Sequence, residues 1–296
     1  MPYGRYSRRR RYVRRSTPRR YRRSTITFRK TRSRYRRKTR VMSKRRILNT
    51  TSKKKHDNMA PVTTTATGGT PTPGSVTISG NVSYFFTWCP TARARQAGSD
   101  PTSVTNRESD TVFIRGLKEN ITFRTVASGT NGAACWLWRR VVFTTKGLAA
   151  AQGTSVDYLY TSSGYVRLLA DQNTSSFGSV ISALIFQGNF GTDWNDLMTA
   201  KTDNTRVTIH YDKVRRLAPG SASNQIWRYK MWHPFNKNLV YNNEENGPNE
   251  TNQVYSTLGK PGMGDAYVVD MFTCATNSST ETLAFNPEAC LYWHEK

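Results

Sequence analysis

The charge along this chain is unevenly placed, and that placement limits what the chain can fold into. Residues 1–55 read MPYGRYSRRRRYVRRSTPRRYRRSTITFRKTRSRYRRKTRVMSKRRILNTTSKKK, with 25 Lys and Arg and no Asp or Glu. The first acid is Asp57. The 296-residue chain holds 45 basic and 19 acidic residues, so 56–296 keeps 20 basic against all 19 acidic ones, a net +1 out of +26. A stretch so charged and so poor in apolar residues cannot bury enough surface to outweigh its ordering entropy. Residues 1–55 are therefore expected to form a disordered basic N-terminal arm. The nearly neutral remainder is long enough for one substantial core.

Dense positive charge finds its natural partner in a polyanion, since Lys and Arg neutralise phosphates and release condensed counterions with little regard to sequence. Arg outnumbers Lys, which suits bidentate phosphate contacts. The candidate nucleic-acid-binding residues are Arg8, Arg9, Arg10, Arg11, Arg14, Arg15, Arg19, Arg20, Arg22, Arg23, Arg36, Arg37, Lys38, Arg40, Lys44, Arg45, Arg46, Lys53, Lys54 and Lys55. Tyr12, Tyr21, Phe28 and Tyr35 are interleaved among them and could stack on unpaired bases. The clusters Arg8–Arg11, Arg36–Arg40, Lys44–Arg46 and Lys53–Lys55 also fit a nuclear-import signal read by a host import receptor. A membrane surface would attract the same charge, but no apolar helical face accompanies it. No apolar run approaches the roughly 18 residues of a membrane span. A secretory leader is not expected, because no apolar core follows the first charges.

Residues 56–75, HDNMAPVTTTATGGTPTPGS, are rich in Thr, Gly and Pro and read as an extended linker. Residues 76–296 then show strand patterns. Val76, Ile78, Val82, Tyr84, Phe86 and Trp88 share one phase at period two, which predicts one half-buried strand with a bulge at Gly80. Residues 112–123 predict a strand with an irregularity near Gly116. The run ACWLWRRVVFTT at 134–145 is apolar on both faces apart from Arg139 and Arg140, as in a central strand covered on both sides. Further strands are expected around 165–169, 206–211, 226–232, 266–274 and 289–293, with long loops between, notably 234–264. The apolar run 180–186 cannot be assigned by periodicity. Residues 192–200, TDWNDLMTA, form the best helix candidate, with Thr192 or Asp193 as N-cap. About eight short strands with turn-rich connections predict an all-β fold, a single antiparallel eight-stranded jelly roll with long loops.

No catalytic or metal site emerges. His56, His210, His233 and His294 show no ligand spacing with Cys89, Cys135, Cys274 or Cys290, and those thiols are expected reduced in the core. The run GKPGMGD at 259–265 lacks the phosphate-loop order, and Pro261 removes a backbone donor. No cofactor or enzymatic activity is expected. The Trp residues at 88, 136, 138, 227, 232 and 293 lie on predicted strands, where core packing or a subunit contact is their common fate and base stacking is reserved for one or two.

Several stretches together resemble the capsid proteins of genomoviruses, the gemycircularvirus group among them. They are MPYGRYSRRRRY, GNFGTDWNDLMTAKTDNTRVTIHYDK at 188–213, RYKMWHPFNKNLVYN at 228–242, GKPGMGDAYVVDMF at 259–272 and the terminal LYWHEK. The basic arm and β body are also loosely similar to geminivirus coat proteins. The resemblance spans essentially the whole chain. It implies a jelly-roll subunit at 76–296 that self-assembles into a small icosahedral shell of about 60 copies. It also implies packaging of circular single-stranded DNA, a place in the virion, and passage through the host nucleus. About 60 arms would carry on the order of 1,500 charges, the scale of a very small genome's phosphates. The alternative on charge alone is a cellular nucleic-acid-binding protein with a basic tail; a jelly-roll sugar-binding module would leave the arm unexplained.

Overall fold

The computed structural model describes residues 42–95, 103–127, 134–218 and 225–296, without the side chain of Arg45. The candidate site residues from Arg8 to Arg40, with Tyr12, Tyr21, Phe28 and Tyr35, lie outside the described residues. The chain divides at Ser43, and the second compact unit is Lys44–Lys296.

This unit opens with helix α1 (Lys44–Thr51). The first strands are β1 (Lys53–Met59), β2 (Pro61–Thr64), β3 (Thr72–Pro73), β4 (Val76–Ser79) and β5 (Tyr84–Trp88). The long β6 (Thr111–Ala127) and β7 (Trp136–Thr145) follow, then the short β8 (Tyr160–Thr161), β9 (Gly164–Tyr165) and β10 (Arg167–Ala170). After helix α2 (Ser176–Ile185) come β11 (Thr208–Leu217), β12 (Ile226–Val240), the hairpin β13 (Glu245–Asn246) and β14 (Asn249–Glu250), β15 (Asp265–Cys274) and β16 (Glu281–Glu295). The protein is mostly β. Its two principal sheets are antiparallel, one ordered β1–β16–β6–β12 with β4 also on β16, the other β11–β7–β15–β5.

Apolar residues from both sheets meet between them. Trp88, Ile114, Leu117, Val142, Val268, Leu291 and Trp293 fill one half of this layer. Phe86, Phe123, Trp138, Phe272 and Phe285 fill the other, with Phe123 and Phe285 stacked at 5.2 Å between ring centroids. The outer face of the β11–β7–β15–β5 sheet is apolar too. Val141, Phe143, Tyr267 and Val269 pack there against Phe177, Ile181 and Ile185 of α2. That explains why β7 and β15 read as apolar on both faces.

Two arginines interrupt β7, and alternation sends them to opposite sides. Arg139 faces outward, forks onto Asp212 at 2.9 and 2.7 Å, and donates to the carbonyls of Leu197 and Ala200. Arg140 faces the core. It grips Asp270 through Nε and Nη2 at 2.7 and 2.8 Å and Glu119 through Nη1 at 2.6 Å. Arg167 completes the ring, reaching Asp270 at 2.7 Å and Glu119 at 3.3 Å, with its guanidinium over Trp88. Trp138 Nε1 donates to Asp270 at 2.7 Å. Burial, the largest single influence, would raise the Asp270 carboxyl; the charges of Arg140 and Arg167 and the hydrogen bonds from Arg140 and Trp138 together outweigh it and hold the group below its ordinary value.

Several expectations are corrected. The linker expected at 56–75 holds β1, β2 and β3, and the arm expected to run to residue 55 ends in structure: β1 pairs with β16 from Lys53–Glu295 to Met59–Ala289. Composition hides this strand because its inward charges are paired by residues remote in sequence, Asp57 by Arg93 at 2.7 Å. The single strand predicted over 76–88 is two, in different sheets, separated by a turn at Gly80. A Cβ at Gly80 would stand 2.6 Å from the carbonyl oxygen of Ser278. The helix predicted at 192–200 is a series of turns. Its carboxylates bond local backbone instead, Asp193 accepting from the Asn189 N–H and Asp196 from the Met198 N–H. The unassigned run 180–186 belongs largely to α2, whose N-cap Ser175 accepts from the Gly178 N–H at 3.0 Å. The loop expected from 234 begins only after β12 ends at Val240. The irregularity at Gly116 is real: β6 continues, but the register with β16 skips Arg115.

The core ion cluster yields a stability prediction. Asp270→Asn removes a buried charge from two arginines and should cost about 3–5 kcal/mol, read as a lower urea midpoint with unchanged m.

Candidate nucleic-acid interface

The end of the predicted arm joins the body along one sheet edge. Lys44 and Arg46 lie exposed on α1. Lys53 pairs with Glu108 at 3.3 Å, and Lys54 donates to the Asn49 carbonyl at 3.0 Å. Lys55 is withdrawn from any nucleic-acid role. It is 4% exposed, pairs with Glu108 at 2.7 Å and Glu295 at 3.2 Å, and donates to the Asn106 carbonyl. The Lys55 contact holds the Glu108 carboxyl below its usual range.

Beyond that edge, strand alternation builds a basic surface. On β6, Leu117, Glu119, Ile121 and Phe123 turn inward, leaving Lys118, Asn120, Thr122 and Arg124 on the outer face. On β12, Met231 and His233 are buried while Arg228, Lys230 and Trp232 are exposed. Register sets Arg228 opposite Thr122, Lys230 opposite Asn120 and Trp232 opposite Lys118. Glu288 on β16, opposite Asn120, is the one acid of this central stretch. Among the described residues, none of Lys118, Arg124, Arg228 and Lys230 is in an ion pair. Nothing covers this face among the described residues, unlike the face beneath α2.

Apart from Trp232, one of the six Trp weighed for core packing or stacking, sequence reasoning did not single these residues out. The available signal was the run IWRYKMWH at 226–233, where Arg228, Lys230 and Trp232 share a phase. Their alignment with Lys118 and Arg124 follows from pairing across about a hundred residues, which no local pattern reports.

The other features weighed for chemistry have structural places. Lys146 Nζ donates to the carbonyls of Gly259 and Pro261, so the 259–265 turn presents oxygens to a cation. His210 Nε2 lies 3.1 Å from Thr144 Oγ1. His233 is buried beside the core ion cluster, and burial pushes its imidazole down to about 4. The four cysteines are unpaired, three buried and Cys135 half-buried. Trp88, Trp136, Trp138 and Trp293 are core residues. Among the described residues no group of three His, Cys, Asp or Glu side chains stands together as a metal site, and no helix is long and apolar enough to cross a membrane.

No protein-family model matches this chain, and no curated protein matches it either.

A second buried polar group sits at the start of β15. Asp265 accepts from the Ser256 N–H at 2.9 Å and the Ser256 hydroxyl at 2.7 Å. Asp157 accepts from the Tyr255 hydroxyl at 2.6 Å and from Gln152 at 3.0 Å. Neither has a cationic partner among the described residues. Burial raises Asp157 to about 6 and Asp265 to about 7. The folded state thus holds these protons more tightly than the unfolded chain, so their stabilisation is full below about pH 4 and is lost as pH rises through 6 and 7. His233, lowered to about 4, works in the opposite sense, losing stability as pH falls from about 6.5 to 4. Asp265→Asn removes one of the two buried acids. Its stability relative to the native chain should rise between pH 5 and pH 8 by on the order of 1–3 kcal/mol. Urea midpoints at the two pH values measure this; a constant difference would contradict it.

Proposed function

We propose that this chain is the capsid protein of a small single-stranded DNA virus, a non-catalytic subunit that assembles into a closed icosahedral shell around its genome. The observation that carries the reading is the division of charge, a polycation of 25 Lys and Arg within residues 1–55, 19 of them in 1–43, ahead of a nearly neutral stretch at 56–296. Near-neutral bodies can close into a shell without mutual repulsion, while the arms neutralise the packaged polyanion. About 60 copies would bring on the order of 1,100 charges from residues 1–43 alone.

Strand order supports the finer reading of a jelly roll. Eight strands, β4, β5, β6, β7, β11, β12, β15 and β16, form two ladders, β4–β16–β6–β12 and β5–β15–β7–β11. The first strand lies beside the last in one ladder and the second beside the seventh in the other, as in a doubled Greek key. The resemblance of 188–213, 228–242 and 259–272 to genomovirus capsid proteins points the same way and adds circular DNA, a virion location and nuclear passage by import-receptor recognition of the arm. A cellular binder with a basic tail is the competing reading.

Electron microscopy of the purified full-length protein, with nuclease-treated absorbance at 260 and 280 nm, separates the two. Uniform closed particles with protected nucleic acid are expected. Small species whose nucleic acid is wholly digested would favour the cellular binder. Removing residues 1–43 should abolish packaging and leave the thermal transition in place. Removing 1–59 also strips β1 from β16, leaving Trp293 and Leu291 without their edge strand, and should lower the unfolding midpoint markedly.

A further inference from the structure

The outer face of the β1–β16–β6–β12 sheet carries an aromatic row among its cations. His56 on β1 stacks on Tyr292 of β16 at 5.9 Å between centroids, with planes 22° apart. Tyr292 meets the Trp232 ring of β12 edge-on at 5.8 Å. β6 runs between those two strands, and the residue it places opposite both Tyr292 and Pro234 is Gly116. A Cβ at Gly116 would stand 2.6 Å from Trp232 Cζ2 and 2.8 Å from Cη2. The indole therefore lies over bare glycine backbone, and the three rings form one row across four strands. Trp232 remains 44% exposed. Beside the row runs a cleft of about 310 Å³ lined by Asn58, Lys118, Asn120, Glu288, Cys290 and Tyr292.

We infer that this face is a second nucleic-acid site, separate from the arm, that binds unpaired DNA by stacking bases on Trp232 and Tyr292 and holding phosphates on Lys118, Arg228 and Lys230. The exposed Trp232 ring and the half-buried Tyr292 beside it, flanked by cations, satisfy the two needs of a single-stranded polyanion, a flat apolar surface for the base and positive charge for the backbone. A duplex offers only phosphates, because its base faces are already stacked. Charge complementarity selects this occupant, since Glu288 is the one acid among Lys118, Arg124, Arg228 and Lys230. The covalent path supports it too: the arm enters the body through α1 and β1, the strand that carries His56. The inference rests on the nucleic-acid part of the proposed function and adds where on the body the strand lies and why it must be unpaired.

The test uses the full-length protein with a 5-bromouracil-substituted oligothymidylate and a duplex of equal length. Binding is measured at roughly 0.5 M salt, where screening weakens the arm's contribution. Photocrosslinks mapped by mass spectrometry should fall on Tyr292 or Trp232. The paired change Trp232→Ala and Tyr292→Ala should weaken oligothymidylate binding about tenfold with an unchanged salt slope and unaltered duplex binding. The paired change Lys118→Ala and Lys230→Ala should lower the salt slope by about 2. Crosslinks confined to residues 1–55, with both paired variants binding as the native chain does, would overturn the site. So would rings shielded between copies and unreactive to the bound probe. Failure of the parent reading looks different: the native chain would then bind neither probe even at low salt. If the ring variant does not fold, the crosslink map on the native chain decides alone.

Discussion

The pairing of Arg140 and Arg167 with Asp270 and Glu119 is the constraint on which the rest of the structure depends. The four side chains come from β7, β10, β15 and β6, and all are at most 1% exposed. Two positive and two negative charges cancel, and hydrogen bonds link every member to the others' opposite charges. Such a cluster adds little net stability over an apolar core of the same volume, because desolvation consumes much of the attraction. Its effect lies in register. A slip of one residue in β6, β7 or β15 would turn one charge to the other face and leave its partners buried and unpaired. Every pairing outside the core inherits that alignment, including the one that sets Trp232 of β12 opposite Lys118 of β6.

The two sheets share this core but present different outer faces. The β11–β7–β15–β5 sheet is closed over by α2 and by the turns through 186–207, which Arg139 pins through the carbonyls of Leu197 and Ala200. The β1–β16–β6–β12 sheet is open among the described residues and carries the cations and the ring row. The chain thus commits one sheet to packing and leaves the other for contact. The strand β1, which follows α1 at the start of this unit, belongs to the open sheet.

Some of this was legible before any coordinates. Alternation in 226–232 and the apolar run at 134–145 report faces, because a strand's neighbours along the chain reveal which side is wet. The same logic misjudged 76–88. Its phase continues through Gly80, but the turn there moves the chain from one sheet to the other, and a period of two cannot see a change of sheet. At 192–200 a capping residue and an apolar run looked helical, while Asp193 and Asp196 spend their oxygens on nearby backbone and hold turns. The strand β1 was invisible because KKKHDNM is polar up to its last residue, Met59, and only Arg93, Glu108 and Glu295, far along the chain, make the burial of Lys55 and Asp57 tolerable.

By itself, the sequence determined the division into a polycation and a neutral β body, since charge density and apolar content are sums over composition and need no partner. It also determined that β7 would be covered on both sides. Only the tertiary structure decided that Lys55 is a core ion-pair member and not a phosphate contact, and that His56, Tyr292 and Trp232 make one row with Gly116 beneath it. Those outcomes depend on which strand lies beside which and in what register, and both are decided by buried charges that meet only when the sandwich closes.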